Sequence, residues 1–458
     1  MVLAHAREVH MDTGSIHRTL LLYAAPVLLT QLLQQLYNMA DCAVVGHFGG
    51  AFGLAAVGVA GLIIAVHVNF FIGFSVGVSS ITAKLFGARR YNDLRRAIAT
   101  SLLLASVMGF LLTLASEWMG RAYLEWLSCP TEAMDDALVY LRICALGLIP
   151  QLIYNVANAI LRSLGNTKTA LLYLGVSVIV NLALDLVLAA VMGYGLAGAA
   201  WATLIAQWGL GIAMLWRLTQ MDGEYSLTIH TDLLSPGELF ALLKQGIPSG
   251  MQAAFMSLSS LMIQVYIDSF GPAAMAGMVI YAKIEGFLYY PAFAYGMALT
   301  GFVGQNLGAG RLDRVEEAVR ISSRTAVVST AMICAVLAMA ARPLLSCFTN
   351  DAASLQNGLA AVYWTFPVYF LYSLNQVYIG GLKGLGDAQV PMLSALIGYA
   401  LFRVAWCAVL LPVFHDMAVI YNAYNMSFLV TLALLVPSYR HRFRSITGEA
   451  VRNQEALA

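Results

Sequence analysis

The stretch LRSLGN at positions 161–166 recurs as LKGLGD at positions 382–387, 221 residues further along the chain. A second pair of stretches, GARR at 87–90 and GAGR at 308–311, has the same separation. Equal spacing at independent places is hard to obtain by chance. The sequence therefore predicts two tandem copies of one structural unit.

The composition is that of an integral membrane protein. The chain has 458 residues, of which 60% are hydrophobic and 11% are charged, and its mean hydropathy is +0.76. Soluble domains carry about 25% charged residues, so this chain lacks the charge to cover a water-exposed surface. A disordered chain and a soluble multidomain enzyme are excluded. Lys and Arg (25) nearly balance Asp and Glu (24), which gives no sign of a nucleic-acid partner.

Each copy contains six apolar runs of the length needed to span a bilayer, which is about 20 residues. We predict an all-α membrane protein with twelve transmembrane helices. The runs are 19–43, 54–80, 97–117, 137–160, 169–191, 197–216, 241–268, 274–301, 325–341, 359–381, 390–411 and 418–437.

Because each copy has an even number of spans, the two copies run parallel, related by an axis along the membrane normal. We predict two pseudo-symmetric six-helix lobes around a central cleft, an architecture suited to transport by alternating access. The predicted segments are a cytoplasmic N-terminal segment (1–18), an N-lobe (19–216), a cytoplasmic connector (217–240), a C-lobe (241–437) and a cytoplasmic tail (438–458).

The basic residues of the loops predict the orientation. With the N-terminus inside, 20 of the 25 Lys and Arg residues lie on the cytoplasmic side. Cytoplasmic loops of membrane proteins are enriched in these residues. We expect a multi-pass protein of a bacterial or archaeal cytoplasmic membrane, with both termini in the cytoplasm.

Acidic residues inside the predicted spans are candidate functional residues, because a charge in the bilayer costs about 2.5–3.5 kcal/mol on insertion scales. Asp41 ends a polar stripe in the first span, after a proline, Pro26, that permits a hinge. Asn181 and Asp185 lie one turn apart in the fifth span, and Thr203 of the sixth span could add a hydroxyl. Oxygen groups of this kind suit a proton or a sodium ion. The alternatives are a solvated Asp41 near the outer end of its helix, and interhelical hydrogen bonding by Asn181 and Thr203.

Short motifs along essentially the whole chain resemble those of the multidrug and toxic compound extrusion (MATE) transporters, in their DinF-like prokaryotic branch. No single motif is decisive, but their order and spacing identify the family. They are Ala25-Pro26, QQLYNMAD at 34–41, VGHFG at 45–49, GARR at 87–90, RSLGNT at 162–167 and GQNLGAG at 304–310.

The resemblance implies a cation-coupling site, or possible sodium site, of Asp41, Asn181, Asp185 and Thr203, with Tyr140 in the same network. It also implies that Asn155 and Asn158 line a cavity. The second copy lacks the acids, since Phe402 and Trp406 stand 221 residues after Asn181 and Asp185. Coupling is therefore expected in the N-lobe alone. The full predicted substrate cavity comprises Gln34, Tyr37, Asn155, Asn158, Met256, Gln264, Glu285 and Tyr289.

The sequence allows two roles for Glu285, a buried ion pair with Arg403 or a part in substrate binding. The predicted function is export of amphipathic organic cations in exchange for protons or sodium, by a monomer that contacts membrane lipid and needs no cofactor. The alternatives are a flippase or exporter of a lipid-linked or other dedicated metabolite and, less favoured, an intramembrane enzyme. No phosphate-binding loop of the GxxxxGK[ST] type is present to use ATP directly.

Overall fold

The computed structural model describes most of the chain, in five segments: 11–49, 53–127, 129–221, 224–227 and 235–455. Parts of the predicted N-terminal segment, connector and tail lie outside the described residues, namely 1–10, 222–223, 228–234 and 456–458.

In the described residues the regular structure is helical throughout, and no strand occurs. The helices of the first half are α1 (Ile16–Phe48), α2 (Gly53–Gly87), α3 (Tyr91–Trp126), α4 (Met134–Leu146), α5 (Leu148–Ser163), α6 (Thr167–Asp185) and α7 (Gly195–Thr219). Those of the second half are α8 (Pro236–Asp268), α9 (Pro272–Gly308), α10 (Leu312–Met339), α11 (Ala341–Ser346), α12 (Ala352–Thr365), α13 (Phe370–Gly384), α14 (Gln389–Ala395), α15 (Arg403–Phe414) and α16 (Met417–Glu455).

The twelve predicted apolar runs all lie in helical regions, and three of them, 137–160, 325–341 and 359–381, contain a helix break. Within the described chain, nine helical segments are long and apolar enough to cross a membrane, and a tenth arises if Thr131–Leu146 and Leu148–Ser163, bent by 45°, are taken as one span. A break at Phe366–Val368, where Pro367 cannot donate a helical hydrogen bond, separates α12 from α13. The prediction of an all-α membrane protein is confirmed.

Contacts divide the chain into two compact units, and each has its own core. The first unit contains Leu29–Gly246 and the second contains Met11–Leu28 and Ile247–Ala458. In the first, Phe71, Leu94 and Ile160 are fully or almost fully buried in one apolar cluster. The beginning of α1 contributes to a core of the second unit, which contains Met11, Leu20, Tyr23, Phe302 and Val315. The lobe boundaries inferred from the sequence stay a prediction.

The repeated motif folds in the same way in both units. Gly165 and Gly386 have left-handed backbones, with φ of 83° and 79°. Each glycine and the residue after it donate backbone N–H groups to the preceding helix over 2.8–3.0 Å, which ends that helix. The side chains of the residues that follow the glycines, Asn166 and Asp387, each accept a backbone N–H bond, at 3.3 and 3.2 Å, from the first turn of the next helix. Two adjacent helices are thus joined by the same tight turn in each copy.

Candidate functional site

An amide bridge between two acids is the centre of the candidate site, in the first unit. With the Asn181 side chain oriented to satisfy its neighbours, its nitrogen donates to Asp41 Oδ1 at 2.9 Å and to Asp185 Oδ2 at 3.1 Å. In the same orientation its oxygen accepts from the backbone N–H of Thr203 at 3.3 Å. The opposite orientation places oxygen against oxygen, so the bridging one is preferred.

Three hydroxyl-bearing residues surround this bridge. The Thr203 hydroxyl donates to Asp41 Oδ2 across 3.4 Å. Tyr37, one turn before Asp41 on α1, has a buried hydroxyl that faces Asp41 and Thr203 without an aligned hydrogen bond. Tyr140 on α4 lies near Asp41 and Tyr37 and also contacts Cys144. The structure therefore brings together all five residues predicted for the cation-coupling site.

The residues around the amide bridge are mostly buried, and the described ones carry no positive side chain close to the two acids. Asp185 is 0% exposed and Asn181 is 1% exposed. One oxygen of Asp185, Oδ1, has no hydrogen-bond partner. In the described part of the chain, no Lys or Arg side chain interacts electrostatically with the Asp41 and Asp185 carboxyls. A buried carboxyl, Asp185, and a half-buried one, Asp41, so placed repel each other unless a proton or a cation neutralises one of them.

The available ligands are the hard oxygens that sodium prefers, from two carboxylates and the hydroxyls of Thr203 and Tyr37. No group of three or more His, Cys, Asp or Glu side chains that could hold a metal ion occurs among the described residues. An all-oxygen set of ligands fits a proton or a monovalent cation better than a transition metal, which prefers nitrogen or sulfur ligands.

A local departure from α-helix geometry follows Asp185 directly. Residues Leu186–Val191 form a π-helical segment, a widened turn that is frequent at functional sites. Gly198 on α7 packs against it, because a Cβ at that position would lie 2.8 Å from the Leu188 carbonyl. The absence of a side chain at Gly198 lets α7 approach α6, and Thr203 lies further along α7.

The other predicted residues of the first unit lie away from the amide bridge. Asn155 and Asn158 are both buried on α5. The Asn158 amide donates to the Tyr154 hydroxyl at 3.3 Å, whereas the Asn155 amide nitrogen is buried without a partner. No hydrogen bond among the described residues joins either asparagine to the acids. Gln34 is half-buried on α1.

Pro26, the predicted hinge, is buried inside α1 and belongs to the second unit. Predicted cavity residues of this unit fall in different surroundings. Glu285 accepts a hydrogen bond from the Tyr369 hydroxyl at 2.9 Å. Met256 and Tyr289 pack against the same apolar cluster. Gln264 donates instead to Asp268 at 2.7 Å, in an exposed position.

No ion pair within 4.0 Å joins Arg403 to Glu285 in the described structure, although the two side chains interact electrostatically, so their pairing stays a prediction. Its guanidinium donates twice to the Ser427 hydroxyl, at 3.0 and 2.8 Å. The same group lies over the rings of Tyr424, Tyr399 and Phe428, the nearest centroid being 4.3 Å away. Aromatic faces stabilise a buried cation in the way that an acid would.

The second unit replaces the acid cluster with aromatic packing. The rings of Phe402 and Trp406, at the positions equivalent to Asn181 and Asp185, have centroids 5.7 Å apart. Sequence reasoning missed Tyr369 and Tyr372 as neighbours of Glu285 and Tyr289. Their spacing of three residues, which places both on one face of a helix, was the available signal.

The comparisons with known proteins identify the family. The sequence model described as MatE matches twice, at residues 26–187 and 248–409, which together cover more than half of the chain. The chain belongs to the MatE family. The two matches begin 222 residues apart, which confirms the tandem repeat found in the sequence.

Full-length relatives point the same way. "Probable multidrug resistance protein YpnP" of Bacillus subtilis is 25% identical over 86% of this chain and 88% of its own length. "Probable multidrug resistance protein NorM" of Thermotoga maritima is 24% identical over 88% of both chains. The NorM protein of Aromatoleum aromaticum is 28% identical over 84% of this chain and 85% of its own.

Solved structures share the fold. "Crystal structure of MATE in the bent conformation" superposes with a TM-score of 0.90 at 20% identity, covering 96% of this chain and 98% of that one. "Outward-facing conformation of a multidrug resistance MATE family transporter of the MOP superfamily" gives 0.88 at 20% identity, covering 97% and 99%. This MATE chain is a multi-pass membrane transporter of a multidrug efflux family, whose substrates are small molecules, and it is not an enzyme.

Proposed function

We propose that this MATE transporter exports amphipathic organic cations in exchange for protons or sodium ions that bind between Asp41 and Asp185. The observation that carries the proposal is the amide bridge, in which one buried asparagine holds two carboxyls together with no Lys or Arg close to them among the described residues. A purely structural cluster does not require two acids, because neutral side chains hydrogen-bond between helices without the charge penalty.

The orientation of the Asn181 amide depends on whether protons or a sodium ion neutralise the two acids. When protons do so, its nitrogen donates to both carboxyls, as in the orientation described above. When a sodium ion binds, a rotation of the amide by half a turn turns its oxygen toward the cation and adds one ligand. The same side chain can thus serve either coupling ion, and the choice between them depends on relative affinity.

Bending of α1 offers a route from ion binding to transport. Pro26 interrupts the hydrogen-bond ladder of α1, and Asp41 lies fifteen residues later on the same helix. A helix is easily bent at a buried proline. Ion binding at Asp41 then favours one bend of α1, which is the conformational step that alternating access needs.

Substrate recognition is assigned to soft side chains such as Tyr289 and Met256, with Glu285 as the acidic group. Aromatic faces attract organic cations, and methionine packs adaptably. A dedicated exporter of an anionic or lipid-linked compound is the second candidate. It is disfavoured because Arg403 is 5% exposed and enclosed by Ser427 and three rings, so its charge is not directed at a ligand. The proposal includes a monomer with both termini in the cytoplasm and no cofactor.

Efflux from proteoliposomes tests the proposal, with a proton gradient and a sodium gradient imposed separately. We expect one gradient to drive efflux of an organic-cation dye, and Asp41→Asn to abolish that efflux because it keeps the shape and removes the ionisable group. Glu125→Gln, an exposed acid of α3 paired with Arg121, is the matched control and is expected to transport normally. Efflux by the wild type that responds to neither gradient contradicts ion coupling.

A further inference from the structure

Four residues just before α1, Met11–Gly14, are held by five hydrogen bonds from or to side chains of the second unit. We call them the N-terminal clasp. The Met11 backbone N–H donates to Gln305 Oε1 at 2.9 Å, and its carbonyl accepts from Asn306 Nδ2 at 3.2 Å. Met11 is 1% exposed, so the clasp begins inside the protein core.

Arg314, in the first turn of α10, binds three backbone carbonyls of the clasp. Its Nη1 donates to Gly14 at 3.0 Å, and its Nη2 donates to Met11 and Thr13 at 3.2 and 3.3 Å. Its Nε donates to Asn306 Oδ1 at 3.0 Å. Arg314 is 9% exposed, and its two Nη atoms donate to carbonyls of one backbone segment, so its guanidinium is a built receptor for that segment.

The repeat shows that these polar residues are not required by the fold of the copy. At the positions equivalent to Asn306 and Arg314, the first copy has Leu85 and Asp93. Leu85 is buried in an apolar core, and Asp93 pairs with Arg90 on the surface at 2.7 Å. The same helix–turn–helix therefore forms without the receptor, which occurs in the copy that contacts Met11–Gly14.

We propose that Arg314, with Gln305 and Asn306, is a positioning residue for α1, which it fixes by clasping the residues that precede the helix. This rests on the proposed function, because α1 carries Asp41. Pro26 lies between the clasp and Asp41. If the start of α1 is fixed, a movement of α1 near Asp41 bends the helix at Pro26. If the start is not fixed, the same movement shifts the whole helix.

Arg314→Gln tests the proposal, with Arg320→Gln as the control for loss of a positive charge on the same helix, since Arg320 is exposed and pairs with Glu316. The first readout is hydrogen–deuterium exchange of residues 11–20 in the full-length protein. We expect Arg314→Gln to speed this exchange about tenfold or more, because the segment opens locally, and Arg320→Gln to leave it unchanged. Unchanged exchange in Arg314→Gln overturns the clasp.

The second readout is the concentration of the coupling ion that gives half-maximal efflux. We expect a shift of about threefold or more in Arg314→Gln. The shift in Arg314→Lys should be smaller, because the lysine ammonium keeps the positive charge but lacks the planar set of N–H donors of the guanidinium. Faster exchange with an unchanged ion dependence overturns the positioning role. Wild-type efflux that responds to no ion refutes the proposed function instead, while the exchange experiment still tests the clasp.

A second variant covers the case in which Arg314→Gln does not fold. Gly14 has a φ of 78°, and a Cβ there would meet nothing within 4 Å. Gly14→Ala therefore strains the clasp backbone without disturbing α10 or creating a clash. We expect the same direction of change in both readouts, and a protein indistinguishable from wild type in both contradicts the proposal.

Discussion

Arg89 and Gly310 hold the same left-handed backbone conformation at equivalent positions of the two repeats, with φ of 55° and 73°. Each follows the end of a helix, and the next residue donates its backbone N–H to that helix, at 3.0 Å for Arg90 and 2.8 Å for Arg311. A side chain is disfavoured in this conformation, because Cβ approaches the following carbonyl. The first repeat therefore carries backbone strain that the second avoids.

Replacing Arg89 by glycine is expected to raise the free energy of unfolding by about 1 kcal/mol, since the side chain is exposed and its removal relieves the strain. The reverse change, Gly310→Ala, is expected to lower it by a similar amount. Unfolding of both purified variants beside the wild type measures the two effects. Changes of the same sign in both variants contradict the explanation.

A close approach of α2 to α8 depends on Gly77. A Cβ at this position would lie 2.6 Å from the Gln245 carbonyl oxygen and 2.7 Å from the Gly246 Cα. Because the obstacles are backbone atoms, they cannot move aside cheaply, and Gly77→Ala is expected to destabilise the protein by about 1–3 kcal/mol. Thermal unfolding measures this. Gly61→Ala on the same helix, where a Cβ meets nothing within 4 Å, is the control and should not lose stability.

The sequence predicts the membrane class, the repeat and the family because those signals are local or periodic. Apolar runs reveal spans, and the constant separation of LRSLGN and LKGLGD reveals duplication. The family match confirms these predictions. The spacing of Asn181 and Asp185 places both on one face of α6, and the structure indeed holds both against Asp41.

Partners far apart in sequence could not be predicted. Thr203 and Asp41 are 162 residues apart, and only packing of α7 near α1 shows that the hydroxyl meets the carboxylate. The surroundings of Arg403 are a second case. Charge alone suggested an acid as its partner, whereas burial among aromatic rings provides an alternative that no sequence period reveals. The clasp was missed because its ligands are backbone carbonyls, which every sequence has.

Removing the amide bridge is expected to reduce ion-coupled transport while the protein still folds. Asn181→Ala leaves Asp41 and Asp185 without their shared donor, and we expect ion-driven efflux to fall about tenfold or more, the effect of losing one or two hydrogen bonds to charged groups. Ser177→Ala, one turn earlier on α6, removes a hydroxyl bound to the Ala206 carbonyl and is the control. Efflux is compared at matched protein amounts in proteoliposomes. Equal activity of the two variants contradicts a coupling role for the bridge.

Glu285→Gln is expected to reduce ion-driven transport less than Asp185→Asn. Glu285 accepts a hydrogen bond from the Tyr369 hydroxyl, and the second unit has aromatic rings where the first has its acid cluster. The ion dependence of efflux is measured for both variants at matched expression. Tyr369→Phe, which removes the hydrogen bond to Glu285 alone, shows what that contact contributes. Equal loss in Glu285→Gln and Asp185→Asn would mean that coupling extends to the second unit.

Breadth of substrate choice is the last prediction. The Tyr289 ring is stacked on Tyr372, with centroids 5.5 Å apart, and on Phe293, at 6.0 Å. Flat aromatic faces and adaptable methionines accept cations of many shapes, because they contain few polar groups that a poorly matched ligand leaves unpaired. We therefore expect micromolar affinity, roughly −8 kcal/mol, for planar organic cations of several classes.

Drug-susceptibility profiles of a pump-deficient host that expresses the protein measure this breadth. We expect protection against dyes and quaternary amines together, and Tyr289→Ala to weaken protection against several of them, since it removes the central ring of the stack. Phe287→Ala is the matched control, because that ring is on the same helix and 61% exposed, away from the stack. Protection against one compound alone, with dyes and quaternary amines unaffected, would contradict multidrug export and favour a dedicated exporter. Equal effects of the two substitutions would instead remove Tyr289 from the binding surface while leaving export itself intact.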